Sequence, residues 1–236
     1  MIYIIVINNP EPESTDDVYT YYSKYIDTVS GVEVLIDCKQ GELYRKGLVK
    51  TPDYSCKVKY IRYGDTNVTL QCQIESENGG EYPIFSGYHI NNAFYMDKYG
   101  VKTKAQRRQG ESIYSKFEPP FLIFSLGEVN GTLFQETTDG YFASYLLKPG
   151  YNSFFFDNHL EKISKENSLK KSDLRTVTID IALNRKREPI YVKLTAAKPD
   201  GTPIKETTYT YVAKDSKVKI PLPDDLDTYK LVKKLF

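Results

Sequence analysis

Alternation of apolar and polar residues along the last third of the chain predicts β-strands. The clearest segments are 176–183 and 190–195, in which every second side chain is apolar, as in a half-buried strand. Charged residues 184–188 form a turn between them, and Pro199-Asp200-Gly201 marks a second turn. Three further short strands are predicted at 206–212, 217–220 and 229–236. Strands at intervals of about ten residues are typical of a small immunoglobulin-like β-sandwich.

The first part of the chain is also predicted to be rich in strands. Segment 32–38 alternates, and segments 55–63 and 67–75 flank Gly64-Asp65-Thr66, which is typical of a hairpin. The short apolar run 121–126 predicts a buried strand. Helices are predicted at 16–26 and 90–99.

These patterns predict a mainly β fold with two domains. The N-terminal domain, 1–157, is an antiparallel β-sandwich or barrel-like part with few short helices. A polar helical linker follows at 158–172, where Asn158 and Glu161 suit a capping box. Residues 173–236 form the immunoglobulin-like module, and a fragment from about residue 171 should then melt cooperatively.

The charge balance and the cysteine content restrict which partners the protein is expected to bind and in which cellular compartment it is expected to lie. The 32 Lys and Arg nearly balance the 31 Asp and Glu, which disfavours nucleic acid as a partner. The apolar start 1–7 lacks a positive flank and a cleavage site, so it predicts a buried strand and not a signal peptide or a membrane insertion. Three cysteines without a C-x-x-C pair suit reduced thiols, although a Cys56–Cys72 bridge fits the hairpin. Synthesis in the cytoplasm is the resulting expectation.

Catalytic signatures are sparse in the sequence. The two histidines, His89 and His159, have no surrounding ligand set, although Asp157 and His159 offer two metal ligands. Motifs for a nucleophile elbow or a phosphate loop do not occur. We therefore predict neither enzyme activity nor a cofactor or metal. A hydrolase using two converging carboxylates stays an alternative, because the acids are plentiful.

Two clusters are candidates for binding other proteins. The first is basic and aromatic, and the alternative is an exposed loop that its Lys and Arg residues keep soluble: Tyr95, Lys98, Tyr99, Lys102, Lys104, Arg107 and Arg108. The second places three aromatic rings on both faces of a strand, which implies either burial on both sides or an interface: Phe154, Phe155 and Phe156.

These observations predict a structural subunit of a larger assembly, a homo-oligomeric ring or a hetero-complex. The chain has 21 tyrosines and no tryptophan. Tyrosine is common in hydrated protein–protein interfaces, and AT-rich codons would also raise its frequency. A bacteriophage or virus component incorporated into the virion, such as a tail, ring, connector or capsid-accessory protein, fits this composition. The alternative is a carbohydrate- or surface-binding β-sandwich that uses exposed tyrosines.

Overall fold

A computed structural model describes residues 10–39, 53–61, 71–76, 85–90, 93–106, 121–148, 176–197 and 201–233. These residues contain the helix α1, Thr15–Thr28. They also contain twelve strands: β1 Gly31–Lys39, β2 Tyr54–Ile61, β3 Gln71–Ser76, β4 Phe85–Ile90, β5 Ala93–Lys98, β6 Val101–Gln106, β7 Val129–Thr137, β8 Gly140–Leu147, β9 Thr176–Asn184, β10 Pro189–Ala197, β11 Pro203–Lys214 and β12 Lys230–Leu231.

The twelve strands form one hydrogen-bonded sheet in the order β12-β6-β5-β4-β3-β2-β1-β11-β10-β9-β8-β7. All neighbours are antiparallel except β12, which adds to β6 in parallel. Sequence neighbours pair in two runs, β1 to β6 and β7 to β11, and the pairing of β1 with β11 joins the runs. The sheet is thus two meanders joined through a contact between distant parts of the chain.

The predicted mainly β, antiparallel and sandwich-like class is confirmed. Strands predicted at 32–38, 176–183 and 190–195 coincide with β1, β9 and β10, and the helix predicted at 16–26 is α1. Three local predictions are wrong. Within segment 90–99, Ile90 belongs to β4 and residues 93–98 form β5, whereas 121–126 and 217–220 form no strand.

Strands β9 to β11 do not form a separate sheet. In the described residues, β9 pairs with β8 and β11 pairs with β1, so the C-terminal strands lie between strands of the predicted N-terminal domain. The predicted linker 158–172 and the initial strand 1–7 lie outside the described residues. The predicted domain division therefore stays a prediction, and strands from both predicted domains belong to one continuous sheet.

The sheet curves around the segment Phe121–Ser125, here called the inner segment. Five interstrand steps of about 4.8 Å would separate β2 from β8 by about 24 Å in a flat sheet. The Phe121 ring nevertheless lies 5.6 Å from that of Tyr60 in β2, and the Phe124 ring lies 5.1 Å from that of Tyr145 in β8. Because three residues span at most about 11 Å, these contacts require the two strands to approach each other across the concave face.

The predicted disulfide alternative is excluded by the sheet register. Cys56 pairs with Ser76, whereas Cys72 lies opposite Tyr60. Cys38 and Cys56 are buried, and the Cys38 sulfur accepts a hydrogen bond from the Thr207 hydroxyl at 3.6 Å. Both lie on the concave face as small apolar residues, which is the common state of packed cysteines.

Candidate apolar binding site

One face of the sheet is continuously apolar across six neighbouring strands. Side chains at every second position of a strand share a face, and the register aligns them between strands. The central row of this inner face consists of buried residues from β8, β9, β10, β11, β1 and β2: Ala143, Ile181, Val192, Tyr209, Ile36 and Cys56. Alternation of buried and more exposed residues along these strands thus produces a single apolar surface.

The inner face continues towards β6. The register continues the row through one residue of each of the strands β2 to β6: Tyr60, Cys72, His89, Phe94 and Ala105. His89 is only 1% exposed, and its ring lies 4.6 Å from that of Phe94. This histidine therefore belongs to the apolar interior and does not face solvent.

Helix α1 covers the β7–β9 part of the inner face. The Ser14 side chain caps the helix by accepting a hydrogen bond from the Asp17 amide at 3.2 Å. The Ser14 hydroxyl donates to the Asp17 carboxylate at 2.8 Å, and with the Glu13 amide it lowers the pKa of Asp17. The buried residues of the helix recur at intervals of three and four and face the sheet: Thr15, Val18, Tyr22 and Ile26.

Tyrosine hydroxyls connect α1 to the structures around it. The Tyr22 oxygen accepts a hydrogen bond from the Leu122 amide at 3.0 Å and lies 3.2 Å from the hydroxyl oxygen of Tyr211 in β11. Tyr145 donates to the Thr15 carbonyl, and Tyr19 donates to the Phe124 carbonyl. Each hydroxyl satisfies a backbone group or another tyrosine inside an apolar layer, where unmade hydrogen bonds are costly.

Burial disfavours the ionised form of four tyrosines around this layer. Desolvation raises the pKa values of Tyr22, Tyr145 and Tyr211 above the ordinary value, and it raises the pKa of Tyr25 to about 12. The inner face therefore carries uncharged phenols at neutral pH. Such groups combine an apolar ring with one hydrogen-bonding atom, which suits contact with a mainly apolar ligand.

Replacing Tyr22 with phenylalanine should lower the free energy of unfolding by about 1–3 kcal/mol, because the Leu122 amide then lacks its acceptor in the interior. Urea denaturation at pH 7 measures this change. Tyr21→Phe is the control, since the Tyr21 hydroxyl bonds to the Pro10 carbonyl at an exposed position. Equal effects of the two substitutions would contradict the assigned role of Tyr22.

Two residues of the predicted basic cluster, Lys102 and Tyr95, contact the C-terminal segment. Lys102 forms an ion pair with Asp225, and its amine lies 5.7 Å from the centre of the Tyr229 ring. The Tyr95 ring lies 5.5 Å from the same ring. Lys102 and Tyr95 thus hold the C-terminal segment against β5 and β6. The pKa of Lys102 is raised and that of Asp225 lowered, chiefly by their mutual hydrogen bond.

The other predicted binding residues divide between the β5–β6 hairpin and undescribed segments. Lys98 is exposed at the end of β5, and Tyr99 is 70% exposed in the turn. Lys104 lies in β6, where its carbonyl accepts a hydrogen bond from the Val232 amide at 2.8 Å. Five predicted residues lie outside the described part of the chain: Arg107, Arg108, Phe154, Phe155 and Phe156. A role of either cluster in binding partners stays a prediction.

The tyrosines of the inner face were not predicted as a site. Tyr19, Tyr22 and Tyr25 recur at intervals of three in α1, which is a signal of a shared helix face. Tyr211, which contacts Tyr22 and Tyr25, lies in a strand nearly two hundred residues away, and the sequence pattern does not connect it to the helix. In the described residues, the site contains no group of three His, Cys, Asp or Glu side chains suited to a metal, and no helix there has the length and apolar character needed to cross a membrane.

Comparison with known proteins supports the fold alone. No family model and no curated protein matches the chain. Among solved structures, LprF from Mycobacterium bovis is similar at 12% identity, with 89% of this chain and 96% of that chain covered and a TM-score of 0.51. The lipoprotein LppX from Mycobacterium tuberculosis is similar at 9% identity, with 88% and 98% covered and a TM-score of 0.54.

These comparisons correct two predictions. The expected virion component of a virus or bacteriophage is wrong, because the similar structures are bacterial proteins that include a lipoprotein. The expected cytoplasmic localisation with incorporation into a virion is wrong for the same reason. The high tyrosine content contributed to the prediction of a virion protein. The structure instead buries these tyrosines: Tyr22, Tyr60, Tyr88, Tyr141, Tyr145, Tyr209 and Tyr229.

Proposed function

We propose that this chain is a non-enzymatic protein of the bacterial envelope that binds a ligand with a long apolar chain, such as a lipid. The observation that carries the proposal is the continuous apolar inner face, covered by α1 and the inner segment. Its aromatic and aliphatic side chains suit acyl chains, and the phenol hydroxyls suit the few polar atoms of such a ligand. The similarity in fold to the lipoprotein LppX supports the location in the envelope.

The ligand enters, in this proposal, between the cover and the sheet. The inner segment contributes no strand, and its two phenylalanine rings rest on β2 and β8 through tilted and edge-on contacts. The inner segment is also hydrogen-bonded to Tyr22 and Tyr19 of α1, but in the described part of the chain no hydrogen-bonded ladder joins it to the sheet. The inner segment and α1 can therefore move together while the sheet stays intact. Apolar area gained from the ligand would offset the contacts that the cover loses.

Fluorescence quenching tests this proposal, because the chain has no tryptophan of its own. In Phe121→Trp, the new indole sits on the inner face, and dibrominated stearic acid should quench its emission in a saturable manner. Bromine quenches only near contact, so quenching reports a ligand beside residue 121. A thermal melt of the variant verifies that it is folded.

Val212→Trp is the matched control, because Val212 is 54% exposed. Its emission should change little at the same concentrations of brominated acid. Equal quenching of the two variants, or no quenching of a folded Phe121→Trp variant, would contradict an apolar ligand on the inner face. The carbohydrate-binding and paired-carboxylate alternatives stay predictions from the sequence.

A further inference from the structure

The two edges of the sheet differ in how they are protected. At one edge, β12 adds to β6, and β6 itself carries Lys102 and Lys104. At the other edge, β7 pairs with β8 and has no further strand beside it in the described part of the chain. An exposed strand edge is a template for pairing with another chain.

The outward backbone groups of β7 follow from its hairpin. The loop between β7 and β8 consists of Thr138 and Asp139 alone. The residues on either side of it, Thr137 and Gly140, pair with each other. A two-residue loop makes its flanking pair a hydrogen-bonded pair, and the pattern then alternates along the strand. The N–H and C=O groups of Thr132, Phe134 and Glu136 therefore point away from β8, towards the open edge.

The composition of β7 leaves this edge accessible. The strand contains neither Lys, Arg nor Pro, the residues that usually prevent strand addition. Glu136 is its one ionisable side chain, and it forms an ion pair with Arg185 of the same chain at 2.6 Å. Leu133 lies opposite Ser144, on the outer face, and is 51% exposed.

We propose that β7 pairs with β7 of a second copy of this chain, antiparallel and centred on Leu133, to form a twofold homodimer. Thr132 then forms a hydrogen-bonded pair with Phe134 of the other copy. Leu133 faces its own equivalent across a position without hydrogen bonds, where side chains are closest. The inference is independent of the proposed ligand.

Charge favours this antiparallel arrangement. A parallel pair in register would place the two Glu136 side chains on adjacent strands, about 4.8 Å apart. The antiparallel pair places Glu136 opposite Asn130 and separates the two Glu136 positions by about 20 Å, six residues along the strand. Since one strand pair buries less than the roughly 1,200 Å² of a standard stable interface, the dimer should dissociate in the micromolar range.

Disulfide trapping tests the register. Leu133→Cys should give a covalent dimer under mild oxidation, seen on a non-reducing gel, because the two thiols face each other. Cys72→Ser is introduced into all of these chains, so that the remaining native cysteines, Cys38 and Cys56, are buried. Val212→Cys is the control of similar exposure and should remain monomeric, as should Cys72→Ser alone. A Leu133→Cys variant that stays monomeric, or equal cross-linking of the control, overturns the proposal.

Sedimentation velocity over a concentration series tests the association without a cross-link. The full chain should pass from monomer to dimer. Thr132→Pro should weaken this association at least tenfold, because proline removes an outward N–H and leaves the β7–β8 bonds in place. A thermal melt shows whether the variant is folded. A wild-type chain that is monomeric up to about 500 μM, as expected if a different protein pairs with β7, overturns the proposal; that limit lies far above the micromolar dissociation expected from the contact area.

Discussion

Replacing Gly140 with alanine should destabilise the fold by about 3 kcal/mol or more, because the added methyl group would overlap the backbone of β9. A Cβ atom at Gly140 would lie 1.9 Å from the Leu183 carbonyl oxygen and 2.9 Å from the Asn184 carbonyl carbon. Both atoms belong to the backbone of β9, so relief requires the β8–β9 pair to separate. The glycine also has φ +155°, which adds backbone strain to the overlap. Urea denaturation at pH 7 measures the loss.

Gly127→Ala provides the matched control. Its nearest neighbour would be the Ser125 hydroxyl oxygen at 3.5 Å, an ordinary contact, so the free energy of unfolding should change by less than about 0.5 kcal/mol. If Gly140→Ala unfolds at the same urea concentration as Gly127→Ala, the close approach of β8 and β9 at this point is wrong.

A fragment of residues 171–236 should show no cooperative thermal transition. In the full chain, β9 pairs with β8, β11 pairs with β1, and their inner faces lie in one core with α1 and the inner segment. The fragment would expose both edges of a three-stranded sheet and its whole apolar face. Such a sheet lacks the second layer that stabilises small β-structures.

Circular dichroism during heating measures this outcome, with the full chain as the reference that melts cooperatively. Proton NMR supplies a second readout, because an unfolded fragment gives poorly dispersed amide signals. A cooperative melt of the fragment would instead support the separate C-terminal domain that the sequence pattern predicts.

Much of the local structure follows from the sequence because its determinants are local. Alternation in 176–183 and 190–195 identifies β9 and β10, and Asp16 and Asp17 after Ser14 identify the start of α1. These signals depend on residues within one turn or one strand. They need no knowledge of distant partners.

The local predictions fail where distant contacts decide. An apolar run such as 121–126 is compatible with a buried strand and with a segment that covers a sheet. It covers the sheet here because Phe121 and Phe124 contact opposite parts of it. Residues 90–99 include Asn91 and Asn92 between strands β4 and β5, and the pairing of these strands overrides a weak helical pattern.

The candidate site was missed for the same reason. Basic residues stood out in the sequence because charge is visible residue by residue. The inner face instead arises from the register of β8, β9, β10, β11, β1 and β2, and from tyrosines that meet across the fold. Tyr22 and Tyr211 acquire their relationship only when β1 joins the two meanders through β11.

That joining contact also sets the order of events during biosynthesis. Ile36 pairs with Tyr209, so β1 of a nascent chain lacks one of its two neighbouring strands until synthesis has passed Lys214 at the end of β11. Folds that depend on such high contact order form slowly. The incomplete chain therefore exposes an apolar strand until β11 has been made, which gives chaperones time to engage it before the sheet closes.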